Sequence, residues 1–299
     1  MTDNENSKAV ILKNLVMSVY DIQHTRIIQN NRFSSTGIDV ESFDFLKHIE
    51  NAELSLKTLI KEKVQEFPIH IWIVEQKGIS YDMAGQMIGL IGDISKFSNV
   101  SKLWAYSGMG IMKICQACGL KYLPEIDRLS YIDKTATRLK TQYDKKIVKS
   151  GPEPDHDKKA HDMLCWCEVP DLKDIGQRRV KGVLLDYNPQ LKSLVWRYGK
   201  QFVMQGDFYR KLFDKFKAEY AARPDLVKEM DEKAGKKSKH GTSSGRQHIN
   251  AMAQRKMQKI FLQHLWVTWR KAEGLPITLP WIIEKGGHSS YIEPPGPEI

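Results

Sequence analysis

Residues 71–109 read IWIVEQKGISYDMAGQMIGLIGDISKFSNVSKLWAYSGM, two apolar helical stretches joined at a glycine. The run Ile71, Trp72, Ile73, Val74 stops at Lys77-Gly78-Ile79-Ser80. Met83, Ala84, Met87, Ile88 and Ile91 then return at the 3.6-residue period of a buried helix face. The first backbone amides of the second helix have no partner within that helix, and its positive end favours an anion. With Gly78 leaving room for close approach, phosphate is a natural ligand, and the pattern is that of a helix-hairpin-helix module. Ser80 stands where such hairpins usually carry a second glycine. It keeps the amide and adds a hydroxyl donor, but a position requiring positive φ would be strained.

Outward from this stretch, the chain reads as mainly α, a helical bundle with a small inserted zinc-ribbon-like segment. Its 299 residues are enough for a substantial core. Residues 1–70 form an N-terminal helical hairpin, with Val10, Ile11, Leu15, Val16 and Val19 striping about 7–35 and Leu54, Leu56, Leu59 and Ile60 striping about 41–66. The hairpin module occupies 71–110, a Cys-rich basic insertion 111–182, a C-terminal helical region 183–272 and an extended tail 273–299. In the helical region, Leu191, Leu194, Val195, Tyr198 and Phe202 mark one helix and Phe208, Leu212, Phe213 and Phe216 a second. Ala253, Met257, Ile260, Phe261 and Leu265 stripe a long third. Trp104, Trp196, Trp266 and Trp269 sit in helical, apolar contexts that favour core packing over stacking on unpaired bases.

The formal net charge of +10 favours a polyanionic partner. The candidate contacts are Lys77, Gly78, Ile79 and Ser80 at the hairpin, then Arg178, Arg179 and Lys181 as a second patch, and Arg197 and Lys200 on a helix. Lys236, Lys237, Lys239 and Arg246 lie in a Gly/Ser/Lys-rich strip. Solvated surface is the ordinary alternative for each. The polar start MTDNENSKAV offers no secretory or membrane segment, so no membrane partner and a cytoplasmic location are expected.

All four cysteines fall in two clusters, Cys115/Cys118 and Cys165/Cys167. A Cys-x-x-Cys-Gly turn presents two thiolates to one ion, and a Cys-x-Cys pair can complete a tetrahedral structural zinc site, with His161 as an alternative ligand. The competing reading is four reduced thiols serving as small apolar side chains.

The segments Gly78-Ile79-Ser80, Ala84 to Leu90, Gly92-Asp93-Ile94, Phe97 and Leu103-Trp104-Ala105-Tyr106-Ser107-Gly108-Met109 resemble, in order, the C-terminal domain of insertion-sequence-110 (116/902) type transposases. Asn188 to Leu194 resembles the Asn-x-x-Leu helix of that family, and His248 to Pro276 its final helix. The resemblance implies a DNA-binding transposase-like protein of a mobile element, acting in DNA recombination. Its implied partners are DNA, branched forms included, a guide RNA, and further copies of itself as a homo-oligomer.

The family also uses an RNase-H-like N-terminal domain with an acidic cluster, and a serine nucleophile before the Asn-x-x-Leu helix. Here the residues ahead of Ile71 read as helices, and Asp174 to Gly182 contains no serine. Catalytic residues are therefore not assigned. The alternatives to a binding role are a recombinase completed by a partner nuclease domain and a non-catalytic protein adaptor.

Overall fold

In the computed structural model, residues 3–36, 44–144, 153–179, 185–224, 226, 244–278 and 291–296 are described, without the side chains of 3–6 and 244–246. The chain is mainly helical and forms two compact units, Met1–Leu103 with Gln190–Ile299, and Trp104–Pro189.

The first unit opens with helices α1 (Asp3–Ser35) and α2 (Asp44–Val64). Lys8 meets Glu66 at 3.6 Å and Arg26 meets Glu53 at 2.9 Å, an opposed residue order that makes the pair antiparallel. The buried stripe of α1 is Ala9, Leu12, Val16 and Val19, whereas Val10 and Ile11, expected inside, are exposed. On α2, Leu54 and Leu59 are likewise exposed while Leu46, Ile60 and Val64 are buried. Both helices carry apolar residues on more than one face, and packing against a third helix selects which face turns inward.

That third element is α4 (Tyr81–Ile91), reached from α3 (Ile69–Glu75) through the Gly78 turn. Every residue of α4 from Ala84 to Ile91 is buried, as expected of a helix apolar on all sides. Two glycines permit this. A Cβ on Gly89 would lie 3.2 Å from the Leu12 carbonyl oxygen, and one on Gly85 would collide with Ile60, so α1 and α2 can approach the α4 backbone directly. Gly78 adopts φ +90°, the left-handed conformation that glycine tolerates best. Ser80 sits at φ −90° as the N-cap of α4, so the strain considered for it does not arise.

Chain after the insertion returns as α8 (Pro189–Gln205), α9 (Phe208–Ala221) and α10 (Ser244–Ala272). α8 and α10 touch at Gly199, where a side chain would strike Gln258, and the Gln258 amide donates to the Val195 carbonyl at 3.2 Å. Tyr198, Phe202, Tyr209 and Phe261 form one aromatic cluster, and Trp72 stacks on Phe261 at 6.0 Å between centroids. Trp266 and Trp269 are buried, and the Trp266 indole donates to the Phe97 carbonyl at 2.7 Å. Residues 291–296 lie along this unit. The Trp72 indole donates to Pro295 O at 2.8 Å, and His264 Nε2 donates to Ile292 O at 2.8 Å.

The second unit holds the last residues of α5 (Val100–Tyr106), a three-stranded sheet and two helices, α6 (Glu125–Asp144) and α7 (His156–His161). Sheet order is β2-β1-β3, with β1 (Ile111–Cys115) antiparallel to both β2 (Lys121–Tyr122) and β3 (Leu172–Gly176). The insertion read as 111–182 thus belongs to a unit that begins at Trp104 and ends at Pro189.

Candidate metal centre and basic surfaces

Strand β1 ends on Cys115, and the chain turns through Cys118 to Gly119, which adopts φ +73°. The Gly119 amide returns to the Cys115 carbonyl at 2.9 Å, and the Cys115 amide bonds Leu120 O at 3.0 Å, closing the hairpin behind the first two sulfurs. The second pair arrives beside β2. Leu164 bridges to Lys121, and the Cys165 amide donates to Lys121 O at 2.8 Å. Segments far apart in sequence are thereby fixed at the backbone, and the four sulfurs lie within 4.8 Å of one another.

Cys115 and Cys167 Sγ are 3.9 Å apart, too far for a disulfide. A tetrahedral ion with metal–sulfur bonds of about 2.3 Å spaces its sulfurs at roughly 3.8 Å. The donor set therefore fits a thiophilic ion. Hydrogen bonds from the Cys118 and Ala117 amides hold the Cys115 thiol down at about 7, while the neighbouring thiols push Cys167 up to about 12 and burial raises Cys165. Without a cation, four sulfurs this close resist ionising together. His161 is not part of the sulfur cluster: it is exposed at the end of α7, its ring stacked on Trp166 at 4.1 Å and 11°.

The basic candidates are distributed differently. At the hairpin turn, Lys77, Gly78 and Ser80 are exposed and Ile79 is buried. The Met83 amide is capped by Ser80 Oγ at 3.3 Å, and the Ile79 amide bonds Gln76 O at 3.0 Å. The space expected to be open beside Gly78 holds the side chain of Gln205, the last residue of α8. Asp82 stands in the first turn of α4, half-buried and with its carboxyl raised by burial. Two expected donors, the Met83 and Ile79 amides, are thus already used within the chain, and a carboxylate lies beside the rest.

Arg178 and Arg179 are exposed beyond β3 in the second unit. Arg197 points into the first unit, where Nη2 donates to Gln86 Oε1 at 2.8 Å and to Tyr20 Oη at 3.0 Å. Lys200 is exposed, its ammonium 4.0 Å from the centre of the Trp196 ring. Trp196 itself is 49% exposed, against the expectation of core packing, because α8 buries the opposite face. Lys181, Lys236, Lys237 and Lys239 lie outside the described residues, as does the side chain of Arg246.

Two polar arrangements had no signature in the sequence. Glu53 is buried in an otherwise apolar stripe, and although burial opposes its charge, hydrogen bonds from Lys57, Gln23 and Arg26 hold its carboxyl at about 2. His264 is fully buried between Tyr209 Oη, 2.9 Å from Nδ1, and Ile292 O; burial pushes its pKa down to about 4. Since the carbonyl can only accept, Nε2 carries the proton and Nδ1 accepts from the tyrosine.

Among the described residues, no helix is long and apolar enough to cross a membrane. No protein-family model, curated protein or solved structure matches the chain.

Proposed function

We propose that this is a DNA-binding protein of the transposase type whose Cys-rich unit is held together by a structural zinc ion. The DNA-binding half rests on the segregation of charge. Neither α8 nor α10 contains an Asp or Glu, and their cations with at least partly exposed side chains are Lys192, Lys200, Arg255, Lys256, Lys259 and Lys271, whereas Arg197 and Arg270 are taken up by hydrogen bonds within the first unit. Exposed Lys77 at the α3–α4 turn and exposed Arg178 and Arg179 add to a net charge of +10. The zinc half rests on four convergent thiols. Cys115, Cys118, Cys165 and Cys167 would fill all four positions of a tetrahedral ion, which would cross-link the unit and leave no site for an activated water.

Fluorescence anisotropy with a labelled DNA duplex, across a salt series, tests the first half. Several phosphate contacts release counterions together, so log affinity should fall steeply and linearly with log salt. Lys77→Glu should weaken binding to all sequences alike and reduce the slope by about 1. Binding that is absent at low salt, or insensitive to salt, overturns the reading. Metal analysis of reduced, purified protein tests the second half, with near-stoichiometric zinc as the expected result and metal-free protein with four titratable thiols as the refuting one.

A protein-adaptor role has one specific observation in its favour. Ile126, Leu129 and Val169 in the second unit are 89%, 76% and 89% exposed, large apolar side chains in contact with solvent. Nuclease treatment separates the two, since an adaptor's associations survive it.

A further inference from the structure

The solvent face of α8 is built unlike that of an ordinary surface helix. Leu191, Leu194, Val195, Tyr198 and Phe202 fill the buried side. At the four-residue spacing of one helical face, the opposite side presents Trp196, Lys200 and Met204. Trp196 is 49% and Met204 74% exposed, and no carboxylate occurs anywhere on the helix. Polar residues normally fill such positions, because leaving an indole in water forfeits the free energy of its burial. Lys200 holds its ammonium against the Trp196 ring at 4.0 Å, a geometry that backs the aromatic surface with positive charge while half of the indole stays in contact with solvent.

The ridge also has a direction. Trp196 to Met204 is about 12 Å along the helix axis, whereas Gln205 projects from the side of Leu194 and Tyr198 and lies against Gly78. The carboxylate next along the chain, Asp207, is turned to the amide of Phe208, which it caps at 2.8 Å. An aromatic plate, a cation behind it and a flexible thioether therefore follow one another along one face of α8. This is the combination that holds an unpaired strand: stacking for the bases and positive charge for the backbone, without readout of sequence.

We infer that the outer ridge of α8 binds single-stranded DNA, with a base stacked on Trp196, Lys200 supporting the ring and neutralising the adjacent phosphate, and the strand continuing along the helix past Met204. This rests on the DNA-binding reading above and adds to it a preference for unpaired over paired DNA.

The test uses the full chain with a single-stranded oligonucleotide containing 2-aminopurine and, separately, a blunt duplex of the same length. The wild type should bind both and quench the 2-aminopurine on binding. Trp196→Ala should lower single-strand affinity by about 10- to 100-fold and abolish the quenching. It should leave duplex affinity within about two-fold and the thermal midpoint unchanged, since the side chain is exposed. Trp196→Phe should restore most of the single-strand affinity, and Lys200→Gln should reduce it without removing the quenching. Unchanged single-strand binding by Trp196→Ala, or equal losses on both ligands, overturns the ridge while leaving DNA binding intact. A wild type that binds neither ligand overturns DNA binding itself. Tighter binding of the same sequence as RNA overturns the assignment to DNA.

Discussion

The two units of this chain solve the same problem with different materials. In the first, the largest fully buried side chains are Trp72, Trp266, Trp269, Tyr198 and Phe261, and they lie in a continuous apolar interior. In Trp104–Pro189, no aromatic side chain is buried among the described residues. The interior there consists of Met109, Met112, Ile114, Leu164 and small residues around Cys115 and Cys165. A unit that small buries too little apolar surface to offset the entropy of ordering its chain comfortably, which is where metals and cross-links are normally found. Both units bury charge with a partner supplied, Glu53 beside Arg26 in the first and Lys121 beside Asp186 at 2.6 Å in the second, but the second also brings together four thiols that need a cation to be ionised at once.

If that contrast is right, removing the metal should affect one unit and spare the other. Chelation, or Cys165→Ser, is expected to unfold Trp104–Pro189, because structural zinc of this kind contributes on the order of 10 kcal/mol. Hydrogen exchange should then become fast across β1, β2 and β3 while α4 and α10 stay protected. Slow exchange in β1 with four free thiols would break the comparison.

Trp266→Ala should act in the reverse sense. Loss of a fully buried indole and its hydrogen bond to Phe97 O is expected to cost about 4 kcal/mol in the first unit and leave zinc content unchanged. Equilibrium denaturation followed separately by exchange in α4 and in β1 reads both parts.

A smaller effect sharpens the contrast through pH. Burial keeps His264 neutral in the folded chain down to about 4, whereas the unfolded chain takes up the proton near 6.5. Between those values the unfolded state binds more protons, so stability should fall as pH drops from 6.5 and level off below about 4, by roughly 3 kcal/mol at most. Urea midpoints of the first unit at pH 7 and pH 5 should show the decline, and His264→Gln should flatten it. An unchanged decline in that variant would assign it to other groups.

Much of the candidate site was legible because its signals are local. Cys115-x-x-Cys118-Gly119 encodes its own turn, and Cys165 and Cys167 were the only other sulfurs of their type in the chain. The α3–α4 turn was similarly marked by Gly78 and by a serine that caps the helix. The misread positions lie on helices whose apolar residues surround the axis. Val10, Ile11 and Leu54 look as buriable as Leu12 and Ile60, and nothing within α1 or α2 distinguishes them. Arg197 and Lys200 were equivalent as surface cations, yet one turn of helix apart they play opposite parts. His161 stood at a plausible ligand spacing and instead stacks on Trp166.

The amino-acid order alone determined that the chain is mainly helical, that it turns at Gly78 and Gly119, and which thiols were available, because those depend on backbone preferences acting over a few residues. Tertiary structure decided which face of each helix turned inward, that Glu53 would be buried and Trp196 left in water, and that sulfurs fifty residues apart would meet, Cys115 and Cys167 at 3.9 Å. Those outcomes depend on the partner surface each element finds, and an amphipathic pattern specifies that a face be covered without specifying by what.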